Sequence, residues 1–255
     1  MVKGLSTFQD YFKDFSDHYV IIGGTACDMI LEAAALTPRA TKDIDMILVV
    51  EALDAEFVKQ FWKFIKDGRY QRTEKNEGER KYYRFMKPEN AAFPTQVELF
   101  SKVPELLDVD PEVHLTPIPA GDDQSDLSAI LMNEEYYAYT IANSTKEQNL
   151  QRANLEALVC LKAKAYLEIS ERKAKGENAE EKDIKKHKGD IFRLSAMLSG
   201  TDVFEVPVTI KKDLQAFTDA VKNDLPGKEL FKSMGLGNLD PAKVHEQLIA
   251  NFQLD

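Results

Sequence analysis

The apolar tetrapeptide Tyr19-Val20-Ile21-Ile22 stops at Gly23-Gly24, and a stretch free of helix breakers, Thr25 to Leu36, then runs up to Pro38. Four apolar residues halted by glycine read as a buried strand, and the alanine, leucine, methionine and glutamate that follow read as a helix. Ile44 to Val50 is a second apolar run, after which Leu53, Phe57, Phe61, Phe64 and Ile65 return to helical spacing. With a short helix near Thr7 to Phe15 in front, strand, helix, strand, helix makes an α/β layer.

From Arg69 the period shortens. Arg69 to Arg72, Lys81 to Met86 and Thr95 to Phe100 read as strands, with Glu74 to Glu79 as a hairpin turn. Leu115 to Ile118 and Ser128 to Leu131 are further short strands around a proline- and acid-rich loop, Pro119 to Asp126. After Asn154 the spacing is helical over Leu155 to Glu171, Glu181 to Leu198, Ile210 to Lys222 and Pro241 to Phe252, with a polar break at Ala174 to Ala179. The expectation is an α/β (α+β) domain with a mixed sheet over residues 1–150 and a helical domain over 151–255.

A chain of 255 residues, 44% of them apolar, can bury a substantial core. Its 43 acidic against 33 basic residues give a formal charge of -10, which repels bulk phosphate backbone and anionic lipid, so RNA would need a local basic channel, such as Lys182 to Lys188. Cys27 and Cys160 lie in apolar runs, where free cysteine acts as a small hydrophobe. Together with a start lacking a signal-peptide core and the absence of a run of some eighteen apolar residues, this points to the cytoplasm and to no membrane partner.

Asp43 and Asp45 are i and i+2 on the second strand, so both carboxylates project from one face while Ile44 and Met46 point to the core. Two anions so placed repel unless a cation lies between them, and magnesium suits carboxylate and phosphate oxygens. A solvent-exposed strand end is the competing explanation. Glu98, the one acid in Thr95-Gln96-Val97-Glu98-Leu99-Phe100, completes a cluster of three carboxylates able to hold two ions if its strand lies beside Ile44 to Val50. The glycines let backbone amides approach an anion, the helix start adds positive potential, and Thr25 offers a hydroxyl there. Taken alone, Gly23-Gly24-Thr25-Ala26 reads equally well as a tight turn with no ligand.

In combination, Gly23-Gly24, Asp43-Ile44-Asp45 and Glu98 resemble the pattern of the polymerase-β-type nucleotidyltransferase superfamily. The fuller forms Gly23-Gly24-Thr25-Ala26 and Arg39-Ala40-Thr41-Lys42-Asp43-Ile44-Asp45 are most similar to the AbiEii/AbiGii toxin group of toxin-antitoxin and phage-defence effectors. The resemblance implies Gly23, Gly24, Thr25, Arg39 and Thr41 around the triphosphate, and Asp43, Asp45 and Glu98 on two Mg2+ ions. Glu98 would also help activate the acceptor hydroxyl. In the helical part, Lys162, Arg172, Lys186 and Asp190 resemble that group's basic and lysine-x-x-x-aspartate elements, while His187 stands where many members have aspartate. Lys162 and Arg172 would then stabilise charge on the phosphates, and Asp190 would orient Lys186 or contact ribose or metal-bound water; a solvated helix end for Arg172 and a surface pair of Lys186 with Asp190 are the competing readings. Helix geometry leaves open whether Lys162 or Lys164 reaches phosphate.

The reaction so implied is transfer of NMP from an NTP to a hydroxyl of RNA, protein or a small molecule, with an antitoxin or neighbouring protein as a further partner. Phosphoryl or pyrophosphoryl transfer at the same site, and a non-catalytic nucleotide-binding interaction module, are the competing functions. His18 and His114 have no partner at metal-ligand spacing. Tyr82-Tyr83 and Tyr136-Tyr137-x-Tyr139 are aromatic runs suited to packing or base stacking, and Arg84, three residues beyond Lys81, suits a phosphate contact. There is no P-loop, Rossmann fingerprint or zinc pattern.

Overall fold

The computed structural model describes residues 2–71, 82–100, 130 and 133–255. The strands expected at 115–118 and 128–131 (Ile130 apart), the turn 74–79, the loop 119–126, Lys81 and His114 lie outside these residues. The described chain forms a mixed sheet in its N-terminal region followed by a mostly helical C-terminal region, divided between two units. The first unit comprises Met1–Met29, Arg39–Met132 and Ser144–Ala153; the second comprises Ile30–Pro38, Asn133–Asn143 and Asn154–Asp255. Each unit is thus built from three separate stretches of the chain.

The first unit holds six strands among the described residues: β1 (Tyr19–Ile22), β2 (Asp43–Leu48), β3 (Tyr82–Met86), β4 (Gln96–Phe100), β5 (Ser144–Glu147) and β6 (Leu150–Ala153), in the order β3-β4-β2-β1-β6-β5. β2 is antiparallel to β1 and parallel to β4; β4 is antiparallel to β3. Of the strand expected at 69–72, Gln71 bridges to Met86, and Arg72 lies outside the described residues. The β5–β6 hairpin turns through Gln148 and Asn149, both at positive φ (49 and 60), as a two-residue hairpin matched to strand twist requires.

Helix α1 (Leu5–Phe12) and helix α3 (Ala55–Gly68) bring Phe8, Phe12, Phe61 and Phe64 together, and Phe8 and Phe12 meet Tyr19 of β1. Asp54 caps α3, accepting the Phe57 N–H at 2.7 Å, and the buried stripe Phe57, Phe61, Phe64, Ile65 follows from three- and four-residue spacing. Helix α2 (Gly23–Ala33) begins without a loop after β1.

The second unit contains α4 (Glu134–Ala142), α5 (Leu155–Ala174), α6 (Glu181–Ser195), α7 (Val208–Val221), α8 (Glu229–Ser233) and α9 (Pro241–Asn251). In α5 every residue from Ala157 to Ala163 is buried, so it is the central helix, packed by α6 and α7. Tyr136 and Tyr137 of α4 are core residues, and burial beside Asp213 pushes the Tyr136 hydroxyl pKa well up. Cys27 and Cys160 are buried and unbridged. No helix of the described residues is long and apolar enough to cross a membrane.

Candidate active site

Gly23 carries the chain from β1 straight into α2 with φ 66, a conformation that glycine adopts without a Cβ penalty. Across the ladder Ile22 pairs with Asp45, and a Cβ on Gly23 would overlap the Asp45 carboxylate. On Gly24 a Cβ would stand 2.5 Å from Thr41 Oγ1 and 3.2 Å from Arg39 Nη2. Both glycines thus answer to close approach, Gly23 to the acid strand and Gly24 to the segment that precedes it.

That segment passes through Ala40 at φ 68, which costs a non-glycine residue roughly 1 kcal/mol. Asp28, in the second turn of α2 and 2% exposed, holds the segment in place by accepting the Thr41 N–H at 2.6 Å. Thr41 Oγ1 is enclosed over Gly24 with no hydrogen-bond partner among the described residues, while Arg39 is exposed. Thr25 is fully buried and its hydroxyl donates to the Asp43 carbonyl, tying α2 to the first residue of β2. This corrects the expectation that Thr25 turns its hydroxyl to a ligand; Thr41 is the hydroxyl beside the glycines. Asp28 was missed, although a lone carboxylate four residues after Gly24 in an otherwise apolar stretch was its signal.

Asp43 and Asp45 are half-buried on one face of β2, with Ile44 and Met46 buried on the other. β4 does lie beside β2: Asp45 is directly opposite Glu98 and Asp43 opposite Gln96, while Glu98 is opposite Arg84 of β3. Residues directly opposite share a face, so Asp45, Glu98 and Arg84 form one row. Within that row Glu98 engages Arg84 and Gln96. Its Oε1 accepts from Arg84 Nε at 2.5 Å and from Gln96 Nε2 at 2.8 Å, with a side chain 7% exposed. Among the described residues no group of three or more His, Cys, Asp or Glu side chains is gathered as for a metal ion. The register brings Glu98 opposite Asp45, and Arg84, expected to contact phosphate, is an ion-pair partner of Glu98.

The residues fit magnesium at Asp43 and Asp45. These are two hard oxygen donors on one strand face, with a backbone free of Cβ atoms pressed against Asp45 and an enclosed Thr41 hydroxyl with hydrogen-bonding capacity to spare. Glu98, expected on the second ion, is paired with the Arg84 guanidinium.

In the second unit Lys162 of α5 donates to Asp190 of α6 at 2.8 Å, both side chains almost fully buried, and Arg193 adds a contact at 3.3 Å. Asp190 thus serves Lys162 and Arg193, which corrects the expectation that it orients Lys186; Lys186 is exposed. Lys164 pairs with Asp213 at 3.3 Å, and Arg172 is half-buried in the last turn of α5. Of the run Lys182 to Lys188, Lys182 meets Glu180, Lys185 meets Glu181 and Lys188 meets Asp224, so acids offset most of the basic stretch. His187 is half-buried, and His18 stacks on Phe57 and contacts Asp54 at 3.2 Å, a structural role.

Compared with known proteins, the chain matches no family model and no curated protein sequence.

Proposed function

We propose that this protein is a magnesium-dependent nucleotidyltransferase, of nucleotidyltransferase-like fold, that moves NMP from an NTP to an acceptor hydroxyl. The observation that carries the reading is the close packing of Gly23 and Gly24 against Asp45 and Thr41, which sets a helix start beside paired carboxylates. The amides of the first turn of α2 receive phosphate oxygens, helped by the positive end of the helix. Arg39 adds charge and Thr41 a hydroxyl at the same place, while Asp43 and Asp45 hold the metal. Magnesium, when bound, lowers the pKa of the attacking hydroxyl and neutralises charge on the phosphates. The protein's own contribution is positioning and a fixed electrostatic frame, held by Asp28 and Thr25.

The acceptor is a hydroxyl of RNA, protein or a small molecule, and the likeness of the Gly23–Ala26 and Arg39–Asp45 motifs to the AbiEii/AbiGii group supports an effector acting with a neighbouring antitoxin-type protein. One observation favours a second reading, a nucleotide-binding interaction module: the engagement of Glu98 by Arg84 withdraws an acid that the resemblance assigns to catalysis. Attack on the γ- or β-phosphorus, giving phosphoryl or pyrophosphoryl transfer, uses the same cradle and differs in product. Equilibrium titration with Mn2+ and a non-hydrolysable NTP tests the site: tight binding lost in Asp43→Asn/Asp45→Asn supports it, and equal binding by both proteins contradicts it.

A further inference from the structure

We propose that residues 202–206, between α6 and α7, form an open strand edge that docks an extended segment of a partner protein carrying lysine or arginine. The backbone runs without turn or bend from Asp202 to Pro207, which at φ -52 and ψ 150 leads extended into α7. Successive residues of an extended chain turn their N–H and C=O groups to opposite edges and their side chains to opposite faces. The even positions are taken. The Phe204 N–H donates to the Asn251 carbonyl at 2.8 Å, the Asp202 carbonyl accepts from Asn251 Nδ2 at 2.5 Å, and the Phe204 ring lies 5.1 Å from that of Phe252. The end of α9 and the residue after it thus hold one edge and one face of the segment. The other edge belongs to Val203 and Glu205, whose N–H and C=O groups have no hydrogen-bond partner among the described residues and whose side chains are exposed.

The same place carries the exposed large apolar side chains of the described residues: Val203, 58% exposed, and Val208 at the start of α7, 69% exposed, stand on either side of Glu205. An added strand would pair the free groups of Val203 and Glu205 and cover the Val203 side chain. Charge selects the occupant. Asp202 and Glu205 have no ion-pair partner among the described residues, and the stretch 201–206 contains no base. A second copy of the segment would set these carboxylates against themselves, and like charges opposed across strands destabilise, as does the formal charge of -10 on each chain. A partner strand with a basic residue opposite Glu205 and a β-branched one opposite Val203 meets both the charge and the apolar surface.

Titration of the isotope-labelled full chain with a capped peptide of alternating valine and threonine around one central lysine tests this, beside the same peptide with glutamate at that position and a third N-methylated along its pairing edge. The test uses neither metal nor nucleotide, so its outcome is separate from the reading of the acid strand. The lysine peptide should bind saturably and slow amide exchange at Val203 and Glu205 while leaving Phe204 unchanged. It should bind roughly fivefold tighter than the glutamate peptide, the N-methylated peptide should not bind, and Glu205→Lys should reverse the charge preference. Lack of saturable binding at residues 203–205, equal binding by the N-methylated peptide, or a preference unchanged in Glu205→Lys would each overturn the proposal. So would a wild-type dimer that Glu205→Lys strengthens, since the occupant would then be a second copy. If Glu205→Lys does not fold, the three peptides on the wild type decide.

Discussion

The carboxylate of Asp45 occupies the space in which a side chain on Gly23 would stand, and the same Asp45 faces Ile22, the last residue of β1, across the antiparallel ladder. The strand that carries the acids and the turn that opens α2 are therefore fixed to one another by a contact that only glycine permits.

Gly23→Ala should accordingly cost more than backbone strain. An alanine at φ 66 loses roughly 1 kcal/mol, and here it must also displace Asp45. Gly176→Ala is the matched control, because Gly176 has φ 76 and nothing within 4 Å of a Cβ. Chemical denaturation should rank Gly23→Ala as the more destabilised by over about 1 kcal/mol, and Mn2+ affinity should fall in that variant alone.

Asp28 is expected to govern the order of the segment bearing Arg39 and Thr41. Asp28→Ala leaves the Thr41 N–H without its acceptor, at a cost of about 1–3 kcal/mol, while Asp28→Asn keeps an oxygen and should cost less. Amide hydrogen exchange at Thr41 should quicken most in the alanine variant. Unchanged exchange there would show that another contact holds the segment.

The Lys162–Asp190 pair should behave as a buried ion pair. Removing Asp190 takes the carboxylate from buried Lys162 and from Arg193, a loss of about 3–5 kcal/mol, whereas Lys162→Met leaves Asp190 with Arg193 and should cost less. Lys162→Met/Asp190→Leu should lose less than the sum of the single variants, with a coupling above about 1 kcal/mol in a double-mutant cycle; additive losses would contradict the pairing.

The cap of α3 should be sensitive to acid. The Phe57 N–H, then His18, hold the Asp54 pKa below its usual value. A carboxyl depressed in the folded state stabilises above its unfolded pKa, and that contribution is lost as pH falls through the folded pKa. The stability gap between wild type and Asp54→Ala should therefore be widest near neutrality and close as pH drops below roughly 4. A gap constant with pH would refute the capping account.

The hydrophobic runs of the sequence carried most of this architecture. Tyr19 to Ile22 is a strand with the expected bounds, and the four expected C-terminal helices differ from those observed by a few residues at their ends, because burial of one face dominates both. The β5–β6 hairpin was not legible, since Gln148-Asn149 adopts positive φ without the glycine that normally marks such a turn. Helix α4 fell between the expected elements, and of the packing and stacking readings of its tyrosines, the burial of Tyr136 and Tyr137 favours packing. At the candidate site the acids and glycines were visible as residue types, but their pairing was not. The attachment of Glu98 to Arg84, of Thr25 to Asp43 and of Asp190 to Lys162 depends on register and helix packing, which a single sequence does not encode locally.

The central claim is nucleotidyl transfer at the Asp43–Asp45 face. Purified protein should be incubated with each α-labelled NTP, magnesium and cell extract, and label followed into RNA, protein and small-molecule fractions beside the Asp43→Asn/Asp45→Asn variant. The account predicts label transferred to one acceptor fraction by the wild type alone, with pyrophosphate released. Absence of transfer with all four nucleotides, from a wild type that binds Mn2+ and NTP, would contradict it and favour the interaction-module reading.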